Sequence, residues 1–299
     1  MSEQQQQRIL VTGAGGMVGS YVAAQFADAE LILTDAVPGF EALDVRDPGA
    51  VMRLTRDVKP DVVLHLAAAT DVDRCQQEPD WAYHSNAIGT QNVALACQRH
   101  DAVMVYISTG GVFSGDKAEP YTEFDAAHPA NVYGDTKLAG ERIVESLLSR
   151  YFVIRAGWMI GGGEKDKKFV GKLVQFIHDG KSSLTAVSDK MGSPTYCRDM
   201  LTGIRALLDT GYFGTYHLAN KGACSRFEIA KELCAILDRP DVQVSPVTSD
   251  HYPLPAPRAA SEALRNFKLD LLGINTMPVW QDALRNYVEA ELVPLLGRP

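Results

Sequence analysis

The stretch that most constrains this chain is Val11-Thr12-Gly13-Ala14-Gly15-Gly16-Met17-Val18-Gly19, which follows directly on the apolar, β-rich run at 8–11. Gly13, Gly16 and Gly19 make G-x-x-G-x-x-G, and Val18, Tyr21, Val22 and Phe26 then recur at helical spacing. Glycines between a strand and a helix permit a tight turn and let backbone N–H groups approach a pyrophosphate. The positive end of the helix dipole favours the same ligand. Three glycines alone would make a plain loop. With a strand before them and an amphipathic helix after them, a dinucleotide-binding turn is the expectation.

The rest of the first half repeats this alternation. Apolar runs at 8–11 (RILV), 31–34 (LILT), 62–66 (VVLHL), 103–107 (VMVYI) and 151–154 (YFVI) read as strands, and helical periods lie at 48–58, 80–99 and 133–149. Continuous apolar strands separated by helices predict a parallel sheet covered on both faces, joined by right-handed crossovers. The fold class is therefore α/β, a doubly wound, Rossmann-type parallel sheet. Beyond residue 157 the pattern loosens. GGGEKDKK at 161–168 reads as a mobile polar loop, helical periods return at 169–178, 197–208 and 226–237, one strand-like run sits at 215–218, and 246–257 is proline-rich and extended. The expected organisation is a polar, disordered tail at 1–7, a dinucleotide-binding domain at 8–156 and a smaller, partly interleaved substrate lobe at 157–299.

Composition narrows the class of function. The 299 residues carry 29 Lys+Arg against 37 Asp+Glu, a formal net charge of −8, so the basic footprint needed for nucleic acid or an anionic membrane surface is missing. No apolar run reaches the length of a membrane span, and MSEQQQQR has no signal-peptide core, which points to a cytoplasmic protein. Cys75, Cys97, Cys197, Cys224 and Cys234 are scattered without a Cys-x-x-Cys, so reduced core thiols are expected and no metal site is.

Asp35 ends the second strand, 22 residues beyond Gly13, where a carboxylate can accept hydrogen bonds from ribose hydroxyls and repel a 2′-phosphate. No Lys or Arg follows within 36–44, so NAD is the expected cofactor, with NADH preferred and NADPH admitted. Further along, Tyr133-Gly134-Asp135-Thr136-Lys137 puts Tyr133 and Lys137 on one helical face. A nearby ammonium can stabilise the phenolate and so let the phenol exchange a proton with a carbonyl oxygen as hydride arrives. Ser108 and Thr109 end the 103–107 strand on its carboxyl side, where ligands bind in open α/β sheets. Side chains alternate along a strand, so only one of these hydroxyls faces the cleft.

With glycine turn, hydroxyl and Tyr-x-x-x-Lys in this order, the chain resembles the extended short-chain dehydrogenase/reductase superfamily, and within it the dTDP-4-dehydrorhamnose reductases and their relatives. The resemblance covers most of the chain through VTGAGGMVGS, LTDAVPGFEALDVRD, HLAAATDVDRCQQEPDWAYHSNAIGTQN, STGGVFSG, PYTEFDAAHPANVYGDTKLAGE, RAGWMIGGG, MGSPTYCRDM, GTYHLAN and YPLPAPRAASEAL. It implies that Thr109, Tyr133 and Lys137 are catalytic, which selects Thr109 over Ser108. It also implies that Gly13, Gly16, Met17 and Val18 hold the pyrophosphate, Asp44 and Val45 the adenine side, and Ala67, Ala68 and Thr70 the nicotinamide and ribose. Tyr133 and Lys137 would touch the cofactor as well, and Val72 and Trp158 would lie near a nucleotide-sugar.

The implied reaction is hydride transfer from the reduced nicotinamide to C4 of a nucleotide-linked 4-keto-6-deoxy sugar, with Tyr133 supplying the proton. Some relatives dimerise, so a second copy of the chain is a candidate partner. Two departures stand out. The family usually has Asp-Tyr after the threonine and an Asp before the next glycine, where this chain has Gly110-Gly111 and Ser114-Gly115, and the family's late Arg-Pro is Arg258-Ala259. They keep two alternatives open, a nucleotide-sugar epimerase retaining its NAD and a non-catalytic nucleotide-binding regulatory subunit.

Overall fold

Alternate residues of each buried strand feed two different cores. Ile9, Val11, Val62, Leu64, Val105 and Ile154 belong to one apolar cluster, whereas Leu10, Val63, Met104 and Val153 belong to another on the opposite face. This is the period of two expected for strands covered on both sides, and it follows from runs with no polar alternation. The computed structural model describes residues 6–297, so most of the expected 1–7 tail lies outside the described residues; Gln6 Nε2 donates to the carbonyl of Asp28 at 2.9 Å.

Among the described residues fourteen strands follow in chain order: β1 (Arg8–Thr12), β2 (Glu30–Asp35), β3 (Glu41–Ala42), β4 (Val62–His65), β5 (Val103–Thr109), β6 (Tyr151–Ala156), β7 (Trp158–Ile160), β8 (Ser183–Val187), β9 (Met191–Gly192), β10 (Pro194–Tyr196), β11 (Gly214–His217), β12 (Cys224–Ser225), β13 (Gln243–Val247) and β14 (Ser261–Glu262). Seven make one sheet in the order β11-β6-β5-β4-β1-β2-β3, parallel throughout. The chain steps outward from β1 to β2 on one side and to β4 on the other. The crevice above the carboxyl ends of β1 and β4 is thus the switch point at which doubly wound sheets bind ligands. The fold is a Rossmann-like doubly wound α/β sheet.

Three small sheets, β10-β7, β12-β9-β14 and β13-β8, stand beside the large one. Their strands are two to five residues long, and most were not legible as strands in the sequence. The large core cluster runs from Ile9 through Tyr196 and Leu233 to Trp280 and Tyr287, so the same apolar contacts tie the small sheets to the large one.

Several expectations are corrected. The single helix foreseen at 80–99 is interrupted: helix Pro79–Tyr83 passes through a π turn at His84–Ile88 into helix Gly89–His100, and helix Val72–Gln77 precedes it unforeseen. The region at 246–257 is not extended throughout, since Ser249–His251 forms a 3₁₀ turn after β13. The polar loop at 161–168 is tied down at several points. Gly162 N donates to Tyr21 Oη, Lys165 Nζ to Gly15 O, and the Asp166 carboxylate accepts from Lys168 N, Gly171 N and Tyr287 Oη. Composition shows the polarity of this loop and cannot show partners that lie more than a hundred residues away.

Candidate active site

β1 delivers the glycine turn into the crevice. Gly13 has φ 72°, and a Cβ there would stand 2.5 Å from the backbone N of Ala67, so both conformation and space require glycine. The turn is braced by Ala14 N donating to Thr34 O, and by Gly15 N donating to the Asp35 carboxylate at 2.8 Å. The helical segment begins as a 3₁₀ turn at Val18–Tyr21 with no side-chain cap, so its first N–H groups stay available to an anionic ligand.

Both Asp35 oxygens accept backbone N–H groups, from Gly15 and Val37, so this carboxylate shapes the turn as well as lining the crevice. Asp44 is clasped by Arg46 through Nε and Nη2, the shorter contact being 2.6 Å, and that guanidinium holds its carboxyl below the usual range. Arg46 lines the crevice two residues beyond the 36–44 window that lacked a cation.

The segment carrying Ala67, Ala68 and Thr70 is pinned from below by Asn86, which sits in the π turn and is fully buried. Its Oδ1 accepts from Ala69 N at 2.7 Å, and its Nδ2 donates to Ala69 O and to Thr136 Oγ1. The turn's extra residue is what aims this amide across the gap, a use that sequence periodicity alone does not reveal. Beneath it, His65 Nε2 donates to Thr90 Oγ1, whose own proton goes to Asn86 O, and Nδ1 accepts from Thr12 Oγ1 at 2.7 Å. Burial holds this imidazole neutral, with its pKa lowered to about 3.

The catalytic candidates converge at the end of β5. Asn131 caps helix Val132–Leu147 by accepting from Gly134 N at 3.0 Å, and the first turn carries Tyr133. The Thr109 side chain acts on the Tyr133 phenol, drawing its pKa down, and Thr109 Oγ1 accepts from Gly111 N at 3.0 Å. Ser108 turns the other way and donates to buried Glu141, which is also paired with Arg155 at 2.7 Å. The alternation thus puts the threonine in the cleft and the serine in a buried ion-pair network. Arg155 Nη1 has no acceptor among the described residues, and the guanidinium lies over the Phe113 ring, 5.2 Å from its centroid.

Lys137 is 3 % exposed and has its Nζ 4.2 Å from the centroid of Tyr106, and burial lowers its pKa to about 7. The expected depression of the Tyr133 pKa by this lysine is not found. Burial pushes the phenol up to about 12, against a lowering by Thr109. Tyr133 is thereby held protonated at neutral pH, the state required of a proton donor.

All fifteen candidate residues line one cleft, of about 1530 Å³. Gly13, Gly16, Met17, Val18, Asp35, Asp44 and Val45 follow β1, end β2 or follow β3; Ala67, Ala68 and Thr70 follow β4, Thr109 ends β5, and Tyr133 and Lys137 lie on helix Val132–Leu147; Val72 and Trp158 open helix Val72–Gln77 and β7. The volume exceeds the roughly 300–1,000 Å³ of a single small-molecule site and leaves room for a dinucleotide with a second ligand. Asn86, Lys165, Arg226 and Glu262 serve or line this cleft and were missed, because none stands at a spacing that marks it. Among the described residues no cluster of His, Cys, Asp and Glu could hold a metal, and no helix is long and apolar enough to cross a membrane.

Residues 7–293 match the family model described as RmlD substrate binding domain. The chain is 36% identical over 289 residues to dTDP-4-dehydrorhamnose reductase of Mycolicibacterium smegmatis, a span of 95% of this chain and 86% of that protein. The crystal structure of dTDP-4-dehydrorhamnose reductase from Bacillus anthracis in complex with NADP superposes with a TM-score of 0.90 at 34% identity, covering 96% of this chain and 100% of the other. A UDP-glucose 4-epimerase from Thermus thermophilus, solved with NAD, has a TM-score of 0.81 at 22% identity over 95% and 98% of the two chains, and shares the fold. Over almost its whole length, this chain belongs to the RmlD substrate binding domain family.

Proposed function

We propose that this chain is an NAD(P)H-dependent oxidoreductase that reduces C4 of a nucleotide-linked 4-keto-6-deoxy sugar. The observation that carries the reading is that Thr109, Tyr133 and buried Lys137 line the same cleft as the glycine turn. The reductase names of the relatives agree with it. The cradle fits a dinucleotide, since Gly13 can carry no side chain and the first N–H groups at Val18–Tyr21 are uncapped. When bound, the reduced nicotinamide supplies the hydride.

The protein's share is positioning and one proton. Thr109 and Tyr133 bind the 4-keto oxygen, and as C4 takes the hydride Tyr133 gives its phenolic proton to that oxygen, leaving a hydroxyl. The phenolate then regains a proton before the next turnover. Lys137 is placed to hold ribose hydroxyls. Asp35 favours NADH, while Arg46 on the same wall can pair with a 2′-phosphate and so admits NADPH.

The test is a panel of dTDP-, UDP- and GDP-linked 4-keto-6-deoxy sugars with NADH or NADPH, followed by loss of reduced-nicotinamide absorbance. Turnover of a panel member with exchangeable cofactor is the expected result. Purification with tightly held NAD and no oxidation across the panel would favour the epimerase reading and overturn this one.

A further inference from the structure

One wall of the cleft is built around the Trp158 indole. Gly192 lies against the ring so closely that even a methyl group there would overlap it, and the Arg226 guanidinium stacks over the ring 4.0 Å from its centroid. The N–H edge is taken as well, since Trp158 Nε1 donates to Glu262 Oε2 at 2.8 Å. The indole is thus a platform. What it presents to the cleft is the pair of charges it carries.

The two charges are held differently: the Trp158 N–H partners Glu262, whereas Arg226 makes no ion pair with it. Arg226 is sandwiched between Trp158 and Phe169 and has no hydrogen-bonded or ion-paired acceptor among the described residues, although it lines the cleft. Desolvation lowers its pKa to about 10, so the cation is held at a cost. A partly buried guanidinium without a counter-charge is expensive, and a ligand anion would relieve that cost. Among the described residues Glu262 Oε1 accepts no hydrogen bond; it stands in front of Gly111, where an added Cβ would lie 3.6 Å from that oxygen. Its charge also acts on both Tyr133 and Arg226.

We propose that Arg226 and Glu262, carried by the face and the N–H edge of Trp158, read the substrate, the guanidinium taking a phosphate of the nucleotide diphosphate and the carboxylate accepting a hydroxyl of the sugar. The assignment rests on the proposed function in that it takes the second ligand of the cleft to be a nucleotide-sugar. The planar, stacked guanidinium offers paired N–H donors suited to phosphate oxygens. It also supplies a local cation to a chain whose net charge of −8 repels anions. Glu262 brings an acceptor over Gly110-Gly111, two residues with no side chain to meet a hydroxyl.

Calorimetry with dTDP, with inorganic pyrophosphate and with NADPH, on wild type, Arg226→Leu, Arg226→Lys and Glu262→Gln, tests the assignment beside steady-state kinetics. Arg226→Leu is expected to weaken dTDP and pyrophosphate about 30-fold while leaving NADPH within about threefold, which also reports an intact fold. Arg226→Lys should recover part of that loss, because it keeps the charge and gives up the stacked plane. Glu262→Gln should raise KM for the sugar nucleotide about tenfold and leave dTDP affinity within about twofold.

A wild-type chain that binds neither dTDP nor pyrophosphate, or an Arg226→Leu variant that binds both as wild type does, overturns the phosphate assignment. If Arg226→Leu weakens a carboxylate-bearing UDP-glucuronate but leaves pyrophosphate alone, the guanidinium reads a sugar acid, and the diphosphate assignment falls. An unchanged KM in Glu262→Gln removes the hydroxyl contact. If no 4-keto sugar is turned over by wild type, the proposed function fails on its own, and calorimetry with dTDP still decides Arg226.

Discussion

The two walls of the cleft are built in different ways. On the strand-end wall the working residues come in short runs of chain: Gly13 to Val18, Ala67 to Thr70, and Tyr133 to Lys137. On the facing wall the group that donates to Glu262 lies 104 residues away in the chain, on Trp158, and Arg226 comes from a third element. Local backbone geometry makes the first wall: a strand, a glycine turn, a capped helix. Tertiary packing makes the second, through strands of two or three residues that form only against each other. A fold built this way can hold one cofactor geometry constant while the wall that meets the substrate changes by single residues.

Replacing Tyr133 by Phe tests the strand-end wall most severely. The ring and its packing stay and the proton is lost, so kcat should fall about 10³–10⁴-fold, a barrier increase of about 4–5.5 kcal/mol. NADPH affinity and the substrate KM should stay within about threefold. Stopped-flow single turnover with NADPH checks this. A kcat within about tenfold of wild type would mean that the proton comes from elsewhere, and the division between a chemical wall and a recognition wall would be lost.

That division is also the boundary of what the sequence shows. The glycine turn, Asp35 and Tyr-x-x-x-Lys lie within the reach of helical and strand periods, so spacing alone is enough to bring them to one cleft. Asn86 falls inside a helical period but in a π turn, and only the extra residue aims it at Ala69. Arg226 reads as one more residue at the start of a helix, because its meaning comes from Trp158 and Phe169. Glu262 sits in a two-residue strand with no periodicity to register. The expectation that Lys137 lowers the Tyr133 pKa failed for a related reason: proximity on a helix face is local, and burial, which dominates both groups, is a property of the whole fold.

Acid should reveal whether the two walls share one stability. His65 lies under the strand-end wall with both ring nitrogens engaged, whereas His217 on β11 donates through Nδ1 to Arg265 O, and its Nε2 has no partner among the described residues. Burial lowers both pKa values to about 3, against the ordinary 6.5. As pH falls below 6.5 the unfolded chain takes up protons that the folded chain refuses, so stability is full above that pH and is lost from 6.5 towards 3. Between pH 7 and pH 5 each histidine should remove about 2 kcal/mol of unfolding free energy. His217→Gln should halve the loss seen in urea titrations at the two pH values. An unchanged loss would show that His217 is not the acid-sensitive group. Two separated transitions at pH 5 would show that the walls do not share the core that joins Ile9 to Tyr287.

The smallest expected effect separates the platform from the charges it carries. Trp158→Phe keeps an aromatic face under Arg226 and removes the N–H that donates to Glu262 Oε2. A hydrogen bond to a partly exposed carboxylate is worth about 1–1.5 kcal/mol here, so KM for the sugar nucleotide should rise about five- to tenfold. The phenol and its threonine lie on the other wall, so kcat should hold within about threefold. Trp158→Ala removes the platform too and should add the loss of the stacked cation, a further ~1 kcal/mol. If Phe and Ala raise KM equally, the indole face contributes nothing and Arg226 holds its place through Phe169 alone. A fall in kcat with KM unchanged would put Trp158 at the reacting centre, and the contrast between a wall that does chemistry and a wall that recognises would have to be redrawn around the indole.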